Sequence, residues 1–165
     1  MNVNERQPIE YAKAACDTMM RRFVSRDLPP KGHFHYHQGV FLSGVYKTYL
    51  QCKEEKYFQY MKEWVDSVID ENGEIHDYDP GQLDDIQPGI LLFPLLERTK
   101  DDRYRKALDT LSGHVWNFRR NEAGGFWHKN WFPNQMWLDG LYMAGPISAQ
   151  YAYQFNRPEV FDCAI

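Results

Sequence analysis

Cysteine is scarce in this sequence of 165 residues, and the three cysteines are Cys16, Cys52 and Cys163. They are scattered, odd in number and form no C-x-x-C pair, which argues against both a zinc site and a disulfide framework. Long apolar runs are also absent, because none approaches the roughly 20 residues that span a bilayer. The N-terminal residues contain no hydrophobic segment of a signal peptide. These absences predict a cytoplasmic protein with reduced thiols and no membrane partner.

The chain also lacks a dense run of lysine and arginine, and its formal net charge is −4. A protein that binds the phosphate backbone carries a concentrated basic patch, so nucleic acid is not expected as a partner. Aromatic residues, in contrast, make up 16% of the chain. That proportion fits either a thick core or a cleft lined by rings, and the length fits a single domain over residues 1–165.

Hydrophobic periodicity predicts helices along most of the chain. A first helix is predicted over Ile9–Val24, with Pro8 in its first turn. After it, segments that are apolar on nearly every side alternate with amphipathic segments, which is the pattern of buried inner helices covered by outer ones. The predicted inner helices begin at Gln38, Ile86 and Leu138, and the predicted outer helices cover 57–70, 101–118 and 159–165. Pro94 is expected to kink the second inner helix.

The inner segments repeat at a regular interval. Gly39, Gly89 and Gly140 stand at equivalent points near their starts and are 50 and 51 residues apart (89 − 39 and 140 − 89). An interval this regular, with no strand pattern between the copies, is typical of stacked helical hairpins. The sequence therefore predicts an all-α fold of about three hairpins, in which the loops before the inner helices gather on one face.

Those loops contain the candidate chemical groups. The segment from Trp131 to Met143 places Asp139 among aromatic and apolar residues, where loss of water would raise the pKa of its carboxyl group. Asp84 or Asp85, from the preceding loop, would form an acid pair with Asp139. The alternative is that these aspartates cap helices or form structural salt bridges, and the residues alone do not decide between the two.

Histidine and lysine accompany the acids. His33, His35 and His37 alternate as metal ligands sometimes do, but no Asp, Glu or Cys is near them and the helix from Gln38 would interrupt the strand that H-x-H requires. A metal is therefore not expected. Lys129 follows a glycine-containing loop and could hold a carboxylate, although an exposed lysine is more often only solvated.

Four segments together carry a family resemblance: H-Y-H-Q-G-V, L-D-D-I-Q-P-G, G-G-F-W-H-K and N-Q-M-W-L-D-G-L-Y-M, in this order. They resemble the unsaturated rhamnogalacturonyl hydrolases of glycoside hydrolase family 105 and, more distantly, the unsaturated glucuronyl hydrolases of family 88. The resemblance implies an (α/α)6 barrel of six hairpins, of which this chain would be about the N-terminal half. It also implies catalysis without a metal or organic cofactor.

The resemblance implies a substrate and roles for particular residues. The substrate would be an unsaturated pectic oligosaccharide with a 4,5-unsaturated galacturonyl group linked to rhamnose. Asp139 would protonate the C4=C5 double bond before water adds at C5, and Asp84, rather than Asp85, would assist. The residues expected to line the uronate site and its surroundings are Trp137, Lys129, His128, Tyr36, His37 and Asn134.

Two other functions are compatible with the sequence. One is an inverting glycosidase that acts on saturated sugars, and the other is a non-catalytic helical-repeat module for binding or assembly. A half barrel would expose its inner helices around Phe41, Leu91, Leu92 and Tyr142, so self-association through the open side is expected in either case.

Overall fold

The computed structural model describes residues 7–163, which form six α-helices and several 3-10 turns. The helices are α1 (Pro8–Arg22), α2 (Tyr36–Cys52), α3 (Glu55–Val68), α4 (Leu92–Thr99), α5 (Asp102–Trp116) and α6 (Gly140–Gln154). The 3-10 segments are Ser25–Asp27, Leu83–Asp85, Gln87–Leu91 and Pro158–Cys163. Within residues 7–163 the only β pairing is in isolated bridges, so the all-α prediction is confirmed. In this range no helix has the length and hydropathy needed to cross a bilayer.

The turns between inner and outer helices repeat in sequence and in conformation. Lys53 after α2 and Lys100 after α4 both have φ of 59°, and Asn156 after α6 has φ of 52°. A residue in the left-handed region ends a helix because it redirects the chain. The segments K-E-E-K-Y and K-D-D-R-Y that follow the first two inner helices are copies of one hairpin turn.

Each copy of this turn ends in a tyrosine that anchors one outer helix to the preceding one. Tyr57 in α3 donates a hydrogen bond to Asp17 of α1 at 3.0 Å, and Tyr104 in α5 donates one to Asp66 of α3 at 2.5 Å. Both rings are fully buried. A buried phenol needs a partner for its hydroxyl group, so the two bonds help to set the register of successive hairpins.

The inner elements lie side by side in the order α2, 87–91 and α6. Two of the repeated glycines permit this packing. A Cβ atom at Gly39 would lie 2.9 Å from the Cα atom of Pro88, and one at Gly89 would overlap Cδ1 of Ile147 in α6. Because a side chain at either position would collide with its neighbour, the spacing of the glycines reflects close contact between inner elements.

The main differences between prediction and structure are in the second and third hairpins. The second inner helix is divided into the 3-10 segment 87–91 and α4, and Pro94 lies in the first turn of α4, where a missing N–H costs little. No kink within a continuous helix is therefore needed. The predicted third outer helix is a 3-10 segment as far as Cys163, and Ala164 and Ile165 lie outside the described residues. The third inner helix begins at Gly140, two residues later than predicted.

The inner helices are not buried all round. Helix α6 contains no charged residue, yet Leu141 and Tyr142 are 67% and 47% exposed. Phe41 is partly buried, and the predicted exposure of Leu91 and Leu92 is wrong because both belong to the core. The open side of the inner row is thus formed mainly by α2 and α6.

Candidate active site

The loop before the segment 87–91 and the loop before α6 contact each other. Gln82 and Lys129 form an isolated antiparallel bridge, and the N–H of Leu83 donates to the carbonyl of His128 at 3.1 Å. The N–H of Asn130 donates to the carbonyl of Gly81 at 2.8 Å. These main-chain contacts bring the loop with the paired aspartates against the loop before α6.

Asp84 lies between two basic side chains in this contact region. The Lys129 ammonium is 2.8 Å from Oδ2 of Asp84, and Nε2 of His128 is 3.0 Å from Oδ1. Neither His128 nitrogen nor Oδ1 of Asp84 has an aligned hydrogen-bond partner among the described residues. His128 is buried and stacks on Trp137, with ring centroids 4.2 Å apart. These buried nitrogen and oxygen atoms can therefore still form hydrogen bonds, and they lie next to the indole ring of Trp137.

Asp139 reaches the same histidine from the start of α6. Its Oδ1 atom is 4.0 Å from Nδ1 of His128, and one oxygen of each aspartate and a His128 nitrogen all lie within 4.8 Å of one another. Asp139 occupies the N-cap position of α6, but its side chain makes no capping hydrogen bond. The two acids from different loops thus meet at one imidazole ring.

The expectation that Asp139 is shielded from water is wrong for this chain. Its side chain is 52% exposed, and Trp137 and Leu138 beside it are also exposed. The buried face of α6 is formed by Gly140, Met143, Ala144, Ile147, Ser148, Tyr151 and Ala152. Asp139 lies outside that face, where no described element packs over it.

The acid cluster is also the one group of described residues whose ligand atoms are close enough to share a metal ion: Asp84, His128 and Asp139. The Lys129 ammonium already lies on Asp84, and it would repel a divalent cation held by the same carboxylate. The histidines His33, His35 and His37 are not members of this group. The geometry favours acid chemistry over metal binding.

The start of α2 approaches the acids through His35, which was not among the residues expected to line the uronate site. Nε2 of His35 is 3.8 Å from Asp84 and 3.9 Å from Asp85. The His37 ring stacks on this ring, the Tyr36 ring lies tilted against it with the centroids 4.6 Å apart, and Nδ1 of His37 is 2.8 Å from Nδ1 of His35. Tyr36 and His37 are therefore neighbours of the acid cluster by way of His35. The sequence feature that could have indicated His35 is the run of alternating histidines, His33, His35 and His37, around the start of α2.

Asn134 is the predicted site residue that the structure does not join to the cluster. It has φ of 61° in an exposed turn, and among the described residues it makes no hydrogen bond to a carboxylate. An asparagine readily adopts this left-handed conformation, so its local role is to reverse the chain before Trp137. Trp137 itself is 43% exposed and donates its Nε1–H to Gln135 at 3.2 Å.

Asp85, which is buried, and the partly buried His35 have opposite pKa shifts. Burial raises the pKa of Asp85 to about 6, and the carboxylates of Asp79 and Asp84 add to the effect. The N–H of Asp79 donates to Oδ2 of Asp85 at 2.8 Å, which opposes the shift. Burial lowers the pKa of His35 to about 4, against the opposing attraction of Asp84. Tyr78 also faces Asp85, and burial raises the pKa of its phenol.

These shifts predict opposite pH dependences for two variants. Between about pH 4 and about pH 6 the folded chain keeps a proton on Asp85 that the unfolded chain releases, so this group lowers the unfolding free energy as pH rises. His35 raises the unfolding free energy as pH rises to about 6.5, because over this range only the unfolded chain binds a proton on this ring. As pH rises across this window, the unfolding free energy of Asp85→Asn relative to the wild type should rise by up to ~3 kcal/mol. That of His35→Asn relative to the wild type should fall by ~3 kcal/mol.

Urea unfolding of the three proteins between about pH 4 and about pH 7 measures both differences. The contributions of the titratable groups common to all three proteins cancel when the unfolding free energy of each variant is compared with that of the wild type. A difference of the same sign in both variants would contradict the assignment of the two shifts.

Comparisons with known proteins find relatives of this chain in sequence and in structure. A sequence profile of Glycosyl Hydrolase Family 88 matches residues 11–165. The chain is 23% identical, over 151 residues, to the unsaturated rhamnogalacturonyl hydrolase YesR of Bacillus subtilis (strain 168), and the match covers 88% of this chain and 42% of that enzyme.

A solved structure gives the corresponding fold. The C. acetobutylicum ATCC 824 glycoside hydrolase from family 105 matches with a TM-score of 0.84 and 33% identity, over 93% of this chain and 42% of that chain. The chain thus spans less than half the length of each of these relatives, and the prediction of half a helical barrel is confirmed.

Proposed function

Because the chain belongs to Glycosyl Hydrolase Family 88, we propose that it supplies the catalytic acids for hydrolysis of unsaturated galacturonyl-rhamnose oligosaccharides derived from pectin. The observation that carries this proposal is the meeting of Asp84 and Asp139 at His128, with Lys129 and Trp137 in contact with the same cluster. The similarity to an unsaturated rhamnogalacturonyl hydrolase supports the same class of substrate. The cytoplasmic location expected from the sequence remains a prediction.

The proposed reaction begins with proton transfer from Asp139. Its carboxyl group protonates C4 of the double bond, and the ring oxygen stabilises the positive charge that develops at C5. Water then adds at C5 and returns a proton to the Asp139 carboxylate, so that one residue acts as acid and then as base. The hydrated sugar is a hemiketal, which opens and releases the attached sugar.

Asp84 and Lys129 would prepare the site for this sequence. Asp84 is buried 3.0 Å from Nε2 of His128, and the other nitrogen of this ring is 4.0 Å from Asp139, so the charge of Asp84 acts on the imidazole that faces the proton donor. The Lys129 ammonium is the nearest permanent positive charge, and it suits the carboxylate that every uronate carries. The partly exposed indole of Trp137 offers a flat apolar surface for the sugar ring.

The spacing of the acids favours this chemistry over conventional inversion. An inverting glycosidase separates its two carboxyl groups by roughly 6.5–9.5 Å so that a water molecule fits between sugar and base. An oxygen of Asp84 and one of Asp139 lie within 4.8 Å of each other. The alternative of an inverting enzyme for saturated sugars is therefore disfavoured.

The test uses the ultraviolet absorbance of the C4=C5 double bond. We expect the chain to remove this absorbance from an unsaturated galacturonyl-rhamnose disaccharide and to leave an aryl glycoside of saturated galacturonic acid intact. Cleavage of the aryl glycoside without loss of absorbance from the disaccharide would support the inverting alternative instead.

We also propose that a second copy of the chain covers the open side of the inner row. A cavity of about 400 Å³ lies along this side, lined in part by Tyr46, Leu50, Tyr142 and Pro146. Further along the uncharged helix α6, Tyr153 is 80% exposed. Apolar surface of this extent favours association, and two half rings related by rotation about the barrel axis would enclose Asp139.

Sedimentation equilibrium should therefore find a dimer. Tyr153→Lys is expected to weaken it by about thirtyfold, the effect of losing one aromatic contact buried in the interface, whereas Trp116→Lys, at a half-exposed residue at the end of α5, should not. A monomeric wild type would contradict this proposal. A stable dimer that leaves the absorbance unchanged would favour the non-catalytic assembly module.

A further inference from the structure

Gln82 contacts Lys129 through both its backbone and its side chain. The two residues form the antiparallel bridge between the site loops, and Oε1 of Gln82 accepts a hydrogen bond from Nζ of Lys129 at 3.1 Å. The residue comes two positions before Asp84 and is partly buried. The mechanism described above gives it no role.

The contact limits where the Lys129 ammonium can point. An ammonium group has three N–H donors on a flexible stem. One is directed to Oδ2 of Asp84 at 2.8 Å and a second to Oε1 of Gln82 at 3.1 Å. The Lys129 side chain is only 17% exposed, and its Nζ atom lies 5.7 Å and 6.0 Å from the ring centroids of Trp131 and Trp137. Two fixed acceptors leave the third donor for a ligand between these indoles.

The neutral charge of Gln82 is part of the argument. Asp84 already balances the charge of Lys129, so a second carboxylate at position 82 would leave the pair with a net negative charge and repel an anionic sugar. An amide oxygen orients the ammonium without adding charge. We propose that Gln82 is a positioning residue that holds Lys129 for the carboxylate of the substrate and thereby selects acidic sugars. This inference rests on the proposed function.

The first test observes Lys129 without any substrate. Proton spectra of ¹⁵N-labelled lysine ammonium groups, assigned with Lys129→Arg, report how fast each group exchanges protons with water. Gln82→Leu should accelerate exchange at Lys129 by about tenfold, the lower end of what a hydrogen bond to a charged group contributes. Gln82→Glu keeps an acceptor and should preserve slow exchange, and Gln59→Leu, on the exposed face of α3, should change nothing.

Exchange at Lys129 that is equally slow in the wild type and in Gln82→Leu would overturn the positioning role. Because the measurement needs no turnover, it decides this point even if the proposed reaction is wrong. Retention of slow exchange in Gln82→Glu also separates loss of the hydrogen bond from general damage to the loop.

The second test measures specificity on the unsaturated disaccharide and on its methyl ester, which lacks the negative charge. Gln82→Leu should raise KM for the acid by about tenfold with little change in kcat, and should leave KM for the ester unchanged. Gln82→Glu should raise KM for the acid although Lys129 stays ordered, because of the added charge. Equal effects on acid and ester would overturn the selection of acidic sugars, and absence of turnover by the wild type would count against the proposed function.

Discussion

Asp139→Asn is expected to lower kcat for the unsaturated disaccharide by about 10²–10⁴-fold, the usual contribution of a positioned acid or base. Asparagine has the same shape but cannot transfer a proton to C4 or accept one from water. The folded state should be unaffected, since the Asp139 side chain is half exposed and forms no capping hydrogen bond. Ultraviolet absorbance measures the rate, and thermal unfolding measures stability.

A second N-cap aspartate provides the matched control. Asp101 is the N-cap residue of α5 and accepts a hydrogen bond from the N–H of Arg103 at 3.1 Å. Asp101→Ala should therefore cost about 1 kcal/mol of stability and leave the rate unchanged. Retention of the wild-type rate by Asp139→Asn would show that the proton donor is another residue.

Gly39→Val is expected to produce the largest loss of stability. A Cβ atom at this position would lie 2.9 Å from the backbone of Pro88 and closer still to Oε1 of the buried Gln87. Because a backbone atom cannot move aside as a flexible side chain can, α2 and the segment 87–91 must separate. Overpacking of this kind costs about 3 kcal/mol, which urea unfolding measures as a lower midpoint.

Gly44 in the same helix is the control for this substitution. A Cβ atom there would meet nothing within 4 Å. Gly44→Ala should therefore raise stability by up to ~1 kcal/mol, because alanine has the higher helix propensity. An unchanged unfolding free energy in Gly39→Val would mean that the inner elements are less closely packed than the structure indicates.

The helices could be predicted because their signals are local. The amphipathic pattern of α3 and α5 depends on residues three or four positions apart, and the interval between Gly39 and Gly89 reflects a close contact that recurs in the first two hairpins. The boundary between the 3-10 segment and α4 was harder to predict from the sequence, because the apolar residues around it fit either conformation.

The site could be predicted in part. The segment N-Q-M-W-L-D-G identified Asp139 and Trp137, and the pair Asp84–Asp85 stood out as adjacent acids at the start of an apolar segment. The sequence did not separate the environments of these two acids. Lys129 lies beside Asp84, whereas Asp85 accepts the N–H of Asp79 from its own loop. His35 approaches both acids, and like Lys129 it comes from a distant part of the chain.

By itself the sequence determined that the chain is a set of helical hairpins and that its unusual acids precede inner helices, because helix periodicity and turn residues act over a few positions. Only the tertiary structure decided that Asp84 and Asp139 meet at His128, that Gln82 and His35 border them, and that Asp139 is exposed. The physical reason is that these contacts join residues from separate loops, and their distances and hydration depend on how the hairpins pack.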